Sequence, residues 1–207
     1  MQIKHRIGIL GGTFNPIHLG HLIVAQCALE SLDLTRLLLV PCARPPHKPR
    51  ANLTEAEHRL AMVELAIEDN PWLEACDLEV RRGGVSYAID TVRELHAANP
   101  GAEFFFVIGS DTLAELHQWK DIYNLLPLCR FVAFTRPGRE APVPRESDLH
   151  LDAPWPARLL KDVVTGRRIE ISSSDIRYRV AEGMSIQYLV PQPVAVYIAE
   201  HRLYQGG

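Results

Sequence analysis

The stretch Arg6-Ile7-Gly8-Ile9-Leu10-Gly11-Gly12-Thr13-Phe14-Asn15-Pro16-Ile17-His18-Leu19-Gly20-His21 decides the fold. Arg6 to Leu10 is a short apolar run suited to a buried strand. A Gly-Gly pair follows, and a helical pattern then runs from Leu19 to Leu32. Strand, glycine turn and helix in that order open a βαβ unit. Two glycines let the backbone turn sharply and come close to a ligand. The helix then begins where its unpaired amides and positive dipole end meet an anion. His18 and His21 lie three apart, so on a first helical turn both rings can point to one side. Gly20 between them leaves room for a bulky group against the helix.

Outward from this unit, Leu37 to Val40 reads as a second buried strand ending at Pro41, and residues 43–53 (ARPPHKPRANL) as a loop. Thr54 with Glu57 predicts a capping box, and the helix after it places Ala56, Leu60, Val63 and Ile67 on one face. Leu73 to Val80 reads as a strand. Ala88, Val92 and Leu95 form the stripe of a helix ended by Asn99-Pro100, and Phe104 to Ile108 is the most apolar strand, breaking at Gly109. Short helical patterns surround Leu113–Leu116 and Ile122–Leu126, a strand covers Arg130 to Phe134, and residues 137–156 read as loop. Arg168 to Ile171 is predicted as a strand, Asp175 to Ala181 as a helix, and Pro191 to about Leu203 as a helix with proline near its first turn.

Strands alternating with helices predict an α/β fold, a doubly wound and mainly parallel sheet with right-handed crossovers and a small helical C-terminal part. Ligands of such sheets sit beyond the carboxyl ends of the strands, which singles out the loops after Leu10, Val40, Ile108, Phe134 and Ile171.

Composition narrows the function classes. The chain has 207 residues, 47% of them apolar and 23% charged, which argues against disorder. The formal charge is 22 − 25 = −3, against a strongly basic nucleic-acid module. No run approaches a bilayer-spanning helix, and MQIKHRIGIL lacks the longer apolar segment of a signal peptide. The expectation is a cytoplasmic protein with no membrane and no nucleic-acid partner. Cys27, Cys42, Cys76 and Cys129 form no CxxC pair and read as small buried apolar residues.

The loop at residues 11–21 is not a Walker loop, because GxxxxGK[ST] is absent, and its glycine spacing is not GxGxxG. A zinc reading of His18 and His21 lacks a third ligand at helical spacing, so no metal site is expected there. Two imidazoles on an amide-rich helix start suit the charge of a phosphate.

GGTFNPIHLGH resembles the signature of the HIGH-type nucleotidylyltransferases, and specifically of the bacterial nicotinate-nucleotide adenylyltransferases. The resemblance covers nearly the whole chain and implies a Rossmann-like nucleotidylyltransferase fold forming one domain over 1–207. Residues 1–157 are then the α/β core, and 158–207 carry a C-terminal phosphate-binding motif and closing helices. It implies AMP transfer from ATP to nicotinate mononucleotide, giving deamido-NAD and pyrophosphate, with Mg²⁺ carried on ATP. Gly11, Gly12, Thr13, Phe14 and Gly20 would line the ATP site around His18 and His21, which grip the triphosphate.

Ile171-Ser172-Ser173-Ser174-Asp175-Ile176-Arg177 resembles the same family's ISS-x-x-IR motif. Ser172, Ser173 and Arg177 would hold the β- and γ-phosphates, an arginine fork suiting phosphate geometry. Gly109 and Asp111 of Gly109-Ser110-Asp111 would meet the adenosine ribose. On the acceptor side the resemblance implies Asn15, His47 and Lys48 of Pro45-Pro46-His47-Lys48, Ser86 and Tyr87 of SYAIDT, and Arg136. Trp119 would stack on the pyridine ring, and Lys120 would help meet its carboxylate. His18, His21 and Arg177 would be the catalytic residues. Two positions depart from the pattern: Asn15 stands in place of aspartate and Ala88 in place of threonine. Adenylyl transfer to nicotinamide mononucleotide or phosphopantetheine, and a catalytically silent nucleotide-binding module, are the competing readings. Oligomeric state is not legible, and a homo-oligomer stays open.

Overall fold

The computed structural model describes residues 5–46, 53–135, 144–167 and 169–205. Six strands, β1 (Arg6–Gly12), β2 (Arg36–Pro41), β3 (Leu73–Ala75), β4 (Glu103–Gly109), β5 (Arg130–Thr135) and β6 (Val163–Thr165), form one sheet in the order β3-β2-β1-β4-β5-β6. Every pairing in it is parallel. Eight α-helices accompany them among the described residues: α1 (Leu19–Ser31), α2 (Ala56–Ile67), α3 (Leu78–Arg82), α4 (Ala88–Ala98), α5 (Ile122–Leu125), α6 (Trp155–Lys161), α7 (Ser173–Ala181) and α8 (Gln192–Glu200). A 3₁₀ segment, Ser110–Gln118, follows β4 directly.

Successive strand residues point to opposite faces, so strands apolar at every position need cover on both sides. Leu10, Leu37, Leu39, Phe105, Val107 and Phe134 face a core closed by α1, α2, α7 and α8. Ile7, Ile9, Leu38, Val40, Phe104 and Phe106 face a second core closed by α4, the 3₁₀ segment, α5 and α6. The expected doubly wound architecture is therefore present, with all strands parallel. No helix among the described residues is long and apolar enough to cross a membrane.

Several local expectations are corrected. Gly11 and Gly12 do not form the turn: they extend β1, in register with Val40 and Pro41, and the reversal comes at Phe14, with φ of 46°. The strand expected over Leu73–Val80 ends at Ala75, because β3 is an edge that pairs only along Leu37–Leu39. The chain then turns into α3, which directs Glu79 inward to accept from the Thr91 hydroxyl at 2.5 Å. The Thr54–Glu57 capping box does not form. Glu55 occupies the cap position, and the Thr54 main chain bonds Asn15 Oδ1 through its amide and Arg59 through its carbonyl. The buried face of α2 is Arg59, Met62, Val63, Ala66 and Ile67, rotated from the expected stripe.

Among the described residues the last strand is Val163–Thr165; of the strand expected over 168–171, residues 169–171 lie outside the sheet and residue 168 lies outside the described residues. The register of β6 with Ala133–Thr135 ends at Gly166, whose amide bonds the Thr135 hydroxyl. Ile171 packs into the first core instead of joining the sheet. The expected division at residue 157 falls inside α6, and the part after it supplies β6. Within residues 137–156, a short 3₁₀ turn at Glu146–Asp148 and the start of α6 replace continuous loop. Cys42 and Cys129 are buried, and Cys27 and Cys76 are half-buried free thiols. Burial pushes the Cys42 and Cys76 thiols up and that of Cys129 to about 12, so these three stay protonated.

Candidate active site

Strand order reverses between β1 and β4, and open α/β sheets bind ligands at the carboxyl end of such a switch point. A cleft lies there, lined by Leu10, His18, Gly20, His21, Gly109 and Thr135 among others.

His18 caps α1 with extended backbone, and its main-chain N–H donates to Nδ1 of His21 at 3.3 Å. The two imidazoles are stacked, centroids 3.7 Å apart and planes 23° from parallel. Because Nδ1 of His21 accepts, the hydrogen-bond pattern assigns Nε2 as the donor nitrogen of that ring in its neutral form. Phe14 sets its ring edge-on to His21 at 5.0 Å. A Cβ on Gly12 would meet the Phe14 ring at 2.9 Å, so glycine is required there by the left-handed Phe14 above it. At Gly20 a Cβ would lie 2.9 Å from Nδ1 of His18 and 3.3 Å from Ile169. The bulky group that Gly20 accommodates is thus the His18 ring itself.

The loop carrying these groups is tied down at Asn15, Pro16 and Leu19. Arg177 Nη1 donates to the Asn15 carbonyl at 2.7 Å, and the Ser173 hydroxyl donates to the Pro16 carbonyl at 2.9 Å. Ser172 caps α7 by accepting from the Asp175 amide. The Asn15 side chain, 5% exposed, accepts at Oδ1 from the Tyr204 phenol at 2.9 Å and from the Thr54 amide at 3.4 Å. Burial pushes the Tyr204 phenol up to about 12, which keeps its proton available for that bond. The Leu19 amide, one of those expected to face an anion, donates to the Leu189 carbonyl at 2.9 Å. The Asn15 side chain, expected on the acceptor side, is bonded within the scaffold here, and Ser173 and Arg177, expected on phosphate oxygens, bond carbonyls of the first loop.

Gly109 ends β4, and Asp111 is exposed on the first turn of the 3₁₀ segment beyond it. Farther along, Trp119 is half-buried and packs edge-on against Phe106 and Phe131. Lys120 Nζ lies 3.1 Å from the Asp90 carboxylate and 4.3 Å over the Tyr87 ring. Its charge is thus shared with a carboxylate from the SYAIDT segment. Ser86 is buried, with its hydroxyl oxygen accepting the Ala43 amide at 2.9 Å. His47, Lys48 and Arg136 lie outside the described residues.

Four contributors were not expected at the site from sequence, Thr54 having been read only as a helix cap: Arg59, Thr54, Tyr204 and the Leu189 carbonyl. Arg59 left a signal, since it stands three and four residues before Met62 and Val63 on an otherwise apolar face. The other three act through contacts that no local pattern announces.

Comparison with known proteins agrees with this fold. The cytidylyltransferase-like family model matches residues 9–179. A relative from Symbiobacterium thermophilum named "Probable nicotinate-nucleotide adenylyltransferase" is 45% identical over 202 residues, covering 98% of this chain and 96% of its own. One of the same name from Geotalea daltonii is 42% identical over 214 residues, 98% and 99% of the two chains. Among solved structures, Plasmodium falciparum nicotinic acid mononucleotide adenylyltransferase complexed with NaAD superposes with a TM-score of 0.75 over 97% of each chain, at 21% identity, which speaks for the fold alone. The full-length identities and the family match together mean that this chain belongs to the nicotinate-nucleotide adenylyltransferase family of cytidylyltransferase-like proteins.

Proposed function

We propose that the protein transfers AMP from ATP to nicotinate mononucleotide, releasing pyrophosphate and forming deamido-NAD in the cytoplasm. The observation that carries this reading is the meeting of the stacked His18–His21 pair and Arg177 on one loop at the sheet's switch point, in a chain of this family. Guanidinium and imidazole N–H groups are the donors a triphosphate needs.

In the proposed step an oxygen of the acceptor's 5′-phosphate forms a bond to the α-phosphorus of ATP. The bond from that phosphorus to the β-phosphate oxygen breaks, and pyrophosphate leaves with the electron pair. The attacking phosphate is already an anion at neutral pH, so no general base is required. Rate enhancement then comes from alignment and from stabilising charge on the leaving group. His18, His21 and Arg177 are proposed for the second task, with Gly11, Gly12, Thr13, Phe14, Ser172 and Ser173 shaping the phosphate site, and Gly109 with Asp111 the ribose site. Trp119, Tyr87 and Lys120 are proposed for the acceptor ring. Mg²⁺ is taken as part of the Mg–ATP substrate, liganded by phosphate and water.

The test is pyrophosphate release from Mg–ATP with nicotinate mononucleotide and, separately, nicotinamide mononucleotide. A large preference for the acid is expected. Comparable rates would keep adenylyl transfer but discard acceptor selectivity, and silence with both would overturn the reading.

A further inference from the structure

Arg59 is the largest fully buried side chain in the molecule, 0% exposed among the described residues, and its charge is met by main-chain carbonyls. Nη1 donates to the Thr13 carbonyl at 2.7 Å, Nη2 to the Ala43 carbonyl at 3.0 Å, and Nε to the Thr54 carbonyl at 2.8 Å. These acceptors belong to three separate segments: the loop after β1, the loop after β2, and the approach to α2. Burying a guanidinium is costly unless its donors are all engaged, so the bonds hold the three segments at defined distances from one another. Neighbouring contacts work in the same sense. The Cys42 amide donates to the Gly12 carbonyl, and the Thr54 amide reaches Asn15 Oδ1.

We infer that Arg59 is a positioning residue that sets the separation between the two loops bringing donor and acceptor together. This rests on the proposed adenylyl transfer, in which the β1 loop serves ATP and the segment running on from Ala43 serves the mononucleotide. A rigid fork with donors pointing three ways suits three carbonyls from three directions. A lysine ammonium is a point charge on a flexible stem and cannot reproduce that spacing. In-line transfer is sensitive to such spacing, because a misplacement of about 1 Å is enough to cost about 10²-fold in rate.

The test compares Arg59→Lys and Arg59→Gln with Met62→Ala, a fully buried α2 residue on the same helix face with no polar group to bond the loops. Each is assayed well below its own melting temperature, and amide exchange is followed over residues 12–16 and 42–46. For Arg59→Lys we expect kcat down about 10²-fold and the mononucleotide KM up about tenfold, with the ATP KM changed less than about threefold. Exchange should accelerate in both segments together. Met62→Ala should keep wild-type kinetic constants even when its melting temperature falls further. Wild-type constants in Arg59→Lys, equal rises in both KM values, or acceleration in one segment alone would each overturn the inference. If neither Arg59 variant folds, denaturant-dependent exchange in the wild-type chain still decides. One shared opening free energy for the two segments supports the inference, and two separate values overturn it. A wild-type chain that transfers no adenylyl group sinks the proposed function, while the exchange data continue to judge Arg59.

Discussion

The phenol of Tyr204 donates to Oδ1 of Asn15 at 2.9 Å, joining residues 189 positions apart and fastening the C-terminal end onto the loop that carries the histidine pair. With Arg177 and Ser173 also bonded to Asn15 and Pro16, that loop is built jointly by the two ends of the chain.

Burial of the Tyr204 phenol makes stability sensitive to alkali. The Tyr204 pKa is raised from 10.0 to about 12, so the unfolded state releases its proton first as pH rises. Its contribution is complete below pH 10 and is lost as pH climbs toward 12, amounting to about 2 to 3 kcal/mol across the window. Cys129, raised from 9.0 to about 12, acts with the same sign from pH 9 upward. Urea unfolding between pH 8 and 12 should show the decline, and Tyr204→Phe should flatten it between pH 10 and 12. An unchanged slope in that variant would show that the phenol is not the source.

Removing either imidazole should cost turnover far more than stability. His18→Ala or His21→Ala is expected to lower kcat roughly 10²–10³-fold, as for loss of a transition-state donor. Pyrophosphate release under saturating substrates measures it. A loss below about fivefold in a folded variant would remove that histidine from the mechanism.

Gly20→Ala separates helix propensity from site geometry. Alanine favours a helix interior by about 1 kcal/mol over glycine. Here the new methyl would stand 2.9 Å from Nδ1 of His18 and must displace that ring. The expected result is a melting temperature near wild type with kcat reduced about tenfold or more. Full activity would show that the 3.7 Å stack is dispensable.

Trp119→Ala should raise the mononucleotide KM more than the ATP KM, as expected if the indole supports the pyridine ring. Because Trp119 also packs on Phe106 and Phe131, Trp119→Phe is the companion that keeps an aromatic surface there and should recover most of the affinity. Equal changes in both KM values would end the stacking role.

Asp90→Asn releases Lys120 from the carboxylate 3.1 Å away. Exposed pairs of this kind are worth about 0.2–1 kcal/mol, so the KM for the acid mononucleotide should fall by a factor of about 1.4 to 5 at low salt. The amide mononucleotide should be unaffected. A rise in KM would mean that Asp90 holds Lys120 in its working position.

Much of this was readable from residue order. Near-continuous apolar strands separated by helical stripes dictate a two-sided parallel sheet, because each strand face must be covered. The GGTFNPIHLGH segment located the site at the first strand-to-helix junction, since His18 and His21 three apart on one helix turn are neighbours whatever surrounds them. Tertiary structure alone decided the rest. Val163–Thr165 became the sixth strand because β5 offered an edge in register, a partner that lies some thirty residues away by simple subtraction of Ala133 from Val163. Thr54 lies outside the cap of α2, and its main-chain groups meet Asn15 and Arg59 instead. Arg59 is an ordinary helix residue until three carbonyls from three loops converge on it. Local periodicity and spacing are properties of the chain, whereas the partner of a buried polar group is a property of packing, and the positioning of this site depends on such partners.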